Sequence, residues 1–203
     1  MSGQVSEEVR GRRLKPFRAK VCFVGEREVG KTSLIRRYVR DAFDETYVAT
    51  LGAKVSKAYA ILDESDRTQG LELILWDVMG VAGFRELLQE AYFHGAHGVV
   101  AVSDLTRRTS LWQLSAWLKA VEAITIPVAK VLVGNKADLV TERRVTSEEL
   151  RVFAATLDCQ AFETSAKTGQ GVAGVFNALV RQLLSALPRT AEQSLVPPER
   201  PSP

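Results

Sequence analysis

The chain has 203 residues, of which 46% are hydrophobic and 25% charged, as expected of one soluble globular domain of ordinary size. Its net charge of +3 is too small to indicate a nucleic-acid-binding protein. No apolar run approaches 18 residues and no signal-peptide pattern opens the chain, so neither a transmembrane helix nor a secretory leader is expected. The two cysteines, Cys22 and Cys159, lie far apart in sequence and favour reduced thiols and a cytoplasmic protein.

Segments of different composition flank a central domain at 18–187. Residues 1–17 are polar and basic and predict a flexible basic N-terminal arm. This arm is either a solvated charge run or a site of weak attraction to an anionic membrane or an acidic partner. Residues 188–203 hold five of the seven prolines and predict a Pro-rich disordered tail.

Short apolar runs alternate with helical patterns through the central domain. Strands are expected at 19–24, 54–62, 71–76, 98–103, 130–134 and 161–164, and helices at 32–40, 84–94, 110–124, 147–157 and 171–187. A polar segment, 63–70, should form a turn that joins the second and third strands as an antiparallel hairpin. The alternation predicts an α/β fold with a doubly wound, six-stranded, mostly parallel sheet and one antiparallel hairpin.

The first strand leads into a phosphate-loop pattern. Gly25, Gly30, Lys31 and Thr32 fit the spacing G-x-x-x-x-G-K-[ST], with a strand before the loop and a helix after it. Backbone N–H groups and the helix N-terminus attract phosphate, and Lys31 reaches the outer phosphates. The Thr32 hydroxyl is expected to bind Mg²⁺. The loop predicts a bound nucleotide but leaves ATP and GTP open.

A second motif, Asn135-Lys136-Ala137-Asp138, follows the fifth strand and favours guanine. The Asp138 carboxylate accepts two hydrogen bonds at once, and guanine offers two adjacent donors where adenine presents an acceptor. We expect Asn135 to tether neighbouring loops and the aliphatic stem of Lys136 to cover the base. Taken alone, the tetrapeptide is also compatible with a plain turn.

Two further motifs follow strands that should end at the same edge of the sheet. Glu163-Thr164-Ser165-Ala166-Lys167 places the Ala166 N–H where a guanine carbonyl is expected. Trp76-Asp77-Val78-Met79-Gly80 provides Asp77 as a Mg²⁺ ligand, usually through water, and the Gly80 N–H for the outermost phosphate.

With these motifs in order, the sequence resembles the Ras-like small GTPases, and within them the Rab-like branch, over roughly residues 18–187. The resemblance rests on GEREVGKT at 25–32, Tyr47 and Thr50, WDVMG at 76–80, GAHG at 95–98, NKAD at 135–138 and ETSAK at 163–167. It implies the P-loop GTPase (G domain) fold with strand order 2-3-1-4-5-6 and a molecular switch between GTP and GDP states. It also implies that Phe43 packs edge-on against guanine and that Thr50 binds Mg²⁺ only in the GTP state.

The site residues that follow from the motifs and the resemblance form three sets. The nucleotide-binding set is Gly25, Glu28, Val29, Gly30, Lys31, Thr32, Ser33, Phe43, Thr50, Gly80, Asn135, Lys136, Asp138, Ser165, Ala166 and Lys167. The metal set is Thr32, Thr50 and Asp77, and the catalytic set is Lys31, Thr50, Gly80 and the position of Val81. His94 and His97 are expected to be packing or surface residues.

The resemblance further implies two segments that change with the nucleotide, 41–52 and 80–92. In the GTP form the outermost phosphate would hold Thr50 and Gly80, and hydrolysis would release both segments. Effectors, exchange factors and activating proteins would read the difference. The C-terminal residues lack a cysteine for prenylation, so we expect no lipid anchor and at most weak peripheral membrane contact.

Three residues depart from the family pattern and concern hydrolysis. Val81 stands where Ras-like enzymes usually place the glutamine that orients the attacking water. Arg27 brings bulk and Glu28 a negative charge into the phosphate loop. One hypothesis is a GTPase with very slow intrinsic turnover whose partner supplies catalytic groups. Another is a hydrolysis-deficient GTP-binding scaffold regulated by nucleotide exchange, and a third is that Arg27 acts in cis on the phosphate.

A function from another class, that of an ATP-using kinase or ATPase, also fits the phosphate loop taken by itself. The nucleotide that co-purifies with the protein would distinguish the two.

Overall fold

A computed structural model describes residues 8–9, 12–13, 17–43, 52–64, 67–80, 89–125 and 129–186 of the chain. Its main sheet has six strands: β1 (Phe17–Val24), β2 (Ala53–Glu64), β3 (Arg67–Val78), β4 (Gly98–Asp104), β5 (Ala129–Asn135) and β6 (Gln160–Glu163). Their order is β2-β3-β1-β4-β5-β6, with β2 and β3 antiparallel and every other neighbouring pair parallel. This topology confirms the predicted fold class and strand order.

The helices that cover the sheet are α1 (Lys31–Arg40), α2 (Gln89–Phe93), α3 (Arg108–Trp112), α4 (Leu114–Glu122), α5 (Ser147–Thr156) and α6 (Val172–Ser185). A 3₁₀ turn, Val140–Glu142, lies between β5 and α5. α5 begins with a capping box: Glu149 N–H donates to Thr146 Oγ1, and Thr146 N–H donates to the Glu149 carboxylate.

The prediction of a polar turn at 63–70 is wrong. Strands β2 and β3 continue through it, and their pairing extends to Glu64 opposite Arg67. Only residues 65 and 66 remain as a connection, and they lie outside the described residues. Backbone pairing between antiparallel strands does not require apolar side chains, so polarity did not mark where the strands end.

The prediction of a single helix at 110–124 is also wrong in detail. The structure divides it into α3 and α4 at Gln113, whose backbone keeps helical angles of φ −65° and ψ −18°. The predicted apolar face is confirmed, since Leu111, Leu114, Trp117, Leu118 and Val121 are all buried. Of the helix expected at 84–94, residues 89–93 are helical, His94 is not, and 84–88 lie outside the described residues.

Two hydrophobic clusters, one on each face of the sheet, form the core. Helices α1 and α6 pack over one face, where Phe23 meets Phe176 and Tyr38 stacks on the same ring. Residues from α2, α3, α4 and α5 pack over the other face, around Trp117 and Phe93. With helices on both faces, the carboxyl edge of the parallel strands is the part of the sheet left to form a ligand site.

Outside the main sheet, Glu8–Val9 and Arg12–Arg13 form a short antiparallel pair. The flexible arm at 1–17 and the disordered tail at 188–203 stay predictions, because most of the arm and all of the tail lie outside the described residues. In the described part of the chain, no helix is long and apolar enough to cross a membrane. Both cysteines are free thiols.

Candidate functional site

The carboxyl ends of five strands meet at one edge of the sheet and carry the predicted site. β1 leads into the phosphate loop, residues 25–30, and β3 ends next to Asp77 and Gly80. β4 ends at Asp104, which pairs in register with Asn135 at the end of β5. The segment 164–167 follows β6. A doubly wound sheet binds ligands at this edge, so the fold brings all four predicted motifs to one place.

The phosphate loop has a backbone that its sequence constrains tightly. Gly30 has φ +97°, and a Cβ there would lie 2.2 Å from the side-chain nitrogen Nδ2 of Asn135. Gly30 also caps α1 without any side-chain hydrogen bond, and the N-terminus of a helix is a favourable place for an anion. Glu28 has φ +63°, a conformation that costs a non-glycine residue about 1 kcal/mol. The Arg27 and Glu28 side chains are both exposed.

The Lys31 ammonium lies inside this loop. Its Nζ donates hydrogen bonds of 2.7 Å to the carbonyl oxygens of Gly25 and Glu26, and the side chain is buried. Burial lowers the pKa of Lys31 to about 8, although the nearby carboxylates of Asp77 and Glu26 oppose the shift. A bound phosphate would favour the charged ammonium and raise that pKa again. This position suits the cation of an anion site, and the contact of Lys31 with phosphate stays a prediction.

Thr32 and Asp77 supply a donor set that fits Mg²⁺. The Thr32 hydroxyl donates to Asp77 Oδ2, so the two oxygen ligands predicted for the metal lie side by side, and Asp77 is buried. The described residues contain no group of three or more His, Cys, Asp or Glu side chains placed to hold a metal. Mg²⁺ typically takes one or two protein oxygens and completes its shell with phosphate and water, which matches this pair.

Gly80 closes over the phosphate loop from the end of β3. A Cβ at this position would lie 2.5 Å from the carbonyl oxygen of Glu26 and 2.6 Å from that of Gly25. Only glycine allows this approach of two backbone segments. Its N–H is therefore held beside the loop in which the phosphates would lie.

Asn135 joins three segments of the site. Its side-chain N–H group donates to the Val29 carbonyl at 2.9 Å, and its Oδ1 accepts from the Thr164 hydroxyl at 3.1 Å. The same oxygen accepts from the Ala166 N–H at 3.2 Å, the group expected to meet a guanine carbonyl. Since Asn135 is 2% exposed, these bonds form in a dry environment. The phosphate loop and the two base motifs are thus held as one unit.

The base motif continues with Lys136 and Asp138. Lys136 has φ +66°, and its Nζ lies 2.7 Å from Oδ2 of Asp104. Asp138 is half-buried in the turn after β5. The structure therefore brings the proposed guanine reader to the same edge as the phosphate loop.

Known proteins match the chain over most of its length. A model of the Ras family matches residues 20–185. The Ras-related protein Rab-13 of Mesocricetus auratus is 34% identical over 166 residues, which make up 81% of this chain and 79% of that protein.

The chain belongs to the Ras family.

Membership makes it a small, Rab-like GTP-binding protein of the switch type, and GTP hydrolysis is the reaction of its family. The observed sheet, with one antiparallel pair among parallel strands, is the P-loop GTPase fold that the motifs imply.

Several predicted site residues of this Ras-family protein lie outside the described residues. These are Thr50 and Val81, together with Tyr47 and most of the two segments expected to change with the nucleotide. The assignments of Thr50 to Mg²⁺ and of position 81 to catalysis stay predictions.

Phe43 and the two histidines were also singled out in the sequence. Phe43 is half-buried against the cluster under α1 and α6, and its contact with a base stays a prediction. His97 Nδ1 accepts the Lys20 N–H at 3.1 Å, and its ring packs edge-on against Phe17. His94 and His97 are exposed and precede β4, whereas the site follows the other end of that strand. They pack or face solvent, as expected.

Sequence reasoning missed Arg37 on α1. Its Nε donates to the Ala166 carbonyl at 2.8 Å and its Nη2 to the Lys167 carbonyl at 2.5 Å. Its Nη1 pairs with Asp41 at 3.0 Å. The side chain therefore fixes the loop after β6 from the side of α1. A cation two turns into an amphipathic helix resembles any solvated surface residue, so the sequence carried no signal for this role.

Sequence reasoning also missed Asp104. It is 1% exposed, and its Oδ1 accepts from both the backbone N–H and the hydroxyl of Thr106 at 2.8 and 2.7 Å. Burial alone would raise the pKa of Asp104, but hydrogen bonds from Lys136 and Thr106 outweigh it and lower the pKa. A carboxylate that ends a strand of seven buried residues is the signal that marks it.

Proposed function

We propose that this Ras-family protein binds GTP and GDP with Mg²⁺ at the carboxyl edge of its sheet, and that it switches between the two states with slow intrinsic GTP hydrolysis. The observation that carries the proposal is the position of Asn135, whose side chain joins the phosphate loop to the segments that follow β5 and β6. A base and a phosphate chain would be bound by parts that cannot move independently.

Each part of the site has a separate task in this proposal. The amides of the phosphate loop and the N-terminus of α1 bind the phosphates, and Lys31 neutralises them. Asp138 accepts the two guanine donors. Thr32 and Asp77, with Thr50 in the GTP state, would hold Mg²⁺, which lowers the charge on the transferred phosphoryl group. These oxygens also keep the metal beside the loop.

Slow hydrolysis follows from the residue after Gly80. Val81 has no polar group, so it cannot hold the attacking water in line with the outer phosphate. The Gly80 backbone lies against the loop, where its N–H would meet that phosphate. Binding and switching are therefore retained while the positioning of water is lost.

Single-turnover hydrolysis tests this proposal. Val81→Gln supplies an amide that can orient water, and we expect its rate with Mg²⁺ to exceed the wild-type rate by about tenfold or more. Val81→Leu is the matched control, because it changes the size of the side chain without adding a polar group, and its rate should stay at the wild-type level. A fast wild-type rate that Val81→Gln does not improve would refute the proposal.

A second candidate function is a GTP-binding module that is controlled by nucleotide exchange, with hydrolysis nearly lost. It is favoured by the exposed Arg27 side chain on the phosphate loop, where bulk would obstruct a catalytic group supplied by a partner. The rates of GTP hydrolysis and of GDP release separate the two candidate functions. If the protein is a module controlled by exchange, GDP release is faster than hydrolysis at every Mg²⁺ concentration.

We also propose that regulators and effectors bind the segments 41–52 and 80–92, and that the protein works in the cytoplasm. The family relationship supports partner binding at these segments. The support for the cytoplasm is that both cysteines are free thiols, as is usual in a reducing compartment. Binding of a candidate partner that is equally tight with GDP and with a non-hydrolysable GTP analogue would refute a switch role for these segments.

A further inference from the structure

We propose that Asp104 and Arg107 form a brace that positions the phosphate loop and the base-binding lysine together, and so slows the release of nucleotide. The proposal rests on the proposed function, because it concerns the same guanine-nucleotide site. Both residues would be positioning residues and touch no nucleotide themselves.

The brace is built on one buried carboxylate. Oδ2 of Asp104 lies 2.7 Å from Nζ of Lys136 and 3.3 Å from Nε of Arg107. Oδ1 is occupied by the two hydrogen bonds from Thr106. One negative charge thus orients two cations, one from the segment after β5 and one from the start of α3. Since Asp104 is 1% exposed, water screens these contacts little.

Arg107 extends the brace to the phosphate loop. Its Nη2 donates to the carbonyl oxygen of Arg27 at 2.5 Å, while its Nε remains on Asp104. The planar guanidinium makes both bonds in a fixed fork, which lysine cannot reproduce. The Arg27 carbonyl is thereby held on the side of the loop that faces α3.

The bond to Arg27 also determines a donor on the other side of the loop. In a trans peptide the C=O and the following N–H point in opposite directions. Holding the Arg27 carbonyl toward Arg107 therefore directs the Glu28 N–H away from it. Glu28 has φ +63°, a left-handed conformation that glycine adopts without strain and that is unfavourable for a residue with a side chain. The brace supports a loop conformation that its own residues do not favour.

The test measures the release of N-methylanthraniloyl-GDP from the full-length protein with excess unlabelled GDP and Mg²⁺. Arg107→Ala and Asp104→Asn should each release the nucleotide about tenfold faster or more, since each loses a charge-assisted hydrogen bond. Arg107→Lys should release the nucleotide as fast as Arg107→Ala does, because a lysine cannot bond Asp104 and the Arg27 carbonyl at once. A variant that carries both substitutions should release the nucleotide faster than either single variant. Its increase should be smaller than the product of the two single increases, since both residues act through one brace.

Arg108→Ala is the matched control. Arg108 follows Arg107 as the first residue of α3, carries the same charge, and pairs with Glu149 at 2.8 Å on the surface. Its release rate should stay at the wild-type level. Arg107 itself is 41% exposed, so its truncation leaves the core intact.

Two results would overturn the brace. If the wild type retains labelled GDP and Arg107→Ala releases it at the wild-type rate, the brace is refuted and the proposed function stands. The same conclusion holds if Arg107→Lys restores the slow rate, because then charge alone matters. If the wild type binds no labelled GDP, the proposed function falls and the brace falls with it.

Discussion

Replacing Asn135 by alanine should weaken both the fold and the nucleotide site. The substitution removes three hydrogen bonds at once, those to the Val29 carbonyl, the Thr164 hydroxyl and the Ala166 N–H. Val29 and Thr164 are fully buried and Ala166 nearly so, so little water can replace the lost partner. The backbone bonds from Ala137 to Thr164 and from Thr164 to Gly134 remain, which limits the damage to the loops.

The magnitude follows from the burial of these three groups. A buried hydrogen bond contributes about 1 kcal/mol net, and an orphaned group costs more, so the free energy of unfolding should fall by about 3 kcal/mol. For a domain of this length each kcal/mol lowers Tm by about 2–4 °C, which predicts a decrease of about 6–12 °C. GDP release should also accelerate by about tenfold or more, because the phosphate loop is no longer tied to the base loops.

The assay is thermal unfolding of the nucleotide-free protein, followed by a GDP-release measurement at a temperature where every variant is folded. Asn177→Ala is the matched control, because Asn177 lies exposed on α6. The same chemical change there should leave release unchanged and should not lower Tm, since alanine favours a helix more than asparagine does. If Asn135→Ala melts within about 2 °C of the wild type and retains GDP equally long, Asn135 does not hold the site together.

Two further predictions concern the base and the phosphates. Asp138→Asn should reduce the preference for GTP over xanthosine triphosphate by about 10- to 100-fold in competition binding, because an amide cannot accept both guanine donors; an unchanged preference would show that Asp138 does not read the base. GDP affinity should fall as pH rises from 7.5 to 9, because nucleotide binds the charged form of Lys31, whose pKa without nucleotide is about 8. Lys31→Arg should lose that part of the pH dependence, since its cation stays charged; an identical pH profile for both proteins would contradict the role of Lys31.

Much of the fold could be predicted from the sequence because local patterns and long-range packing agree. The apolar face of α3 and α4, from Leu111 to Val121, follows helical spacing and is buried as expected. The hairpin connection could not be predicted, because the polar residues at 63–70 resemble a turn while backbone pairing continues to Glu64 and Arg67. Such pairing depends on the partner strand and leaves no periodic signal in either segment.

The candidate site divides in a similar way. Gly30 and Lys31 could be found because phosphate binding demands particular residue types at fixed spacing, and Asn135 because it opens the motif that favours guanine. Arg107 could not, because its contact with the Arg27 carbonyl joins segments about 80 positions apart and uses a side chain that is common on any surface. Asp104 ends a buried apolar strand, which marks it as unusual, but its contact with Lys136 could not be foreseen. Only the three-dimensional fold reveals that they meet at the phosphate loop.

The most direct test of the central claim is to extract and identify the nucleotide bound to the purified full-length protein. Chromatography and mass spectrometry of the heat-denatured supernatant should recover GDP or GTP, close to one guanine nucleotide per chain, because Asn135 ties the phosphate loop to the base motifs. Recovery of ATP or ADP would contradict the account, as would a protein that holds no nucleotide and binds no added GDP in the presence of Mg²⁺.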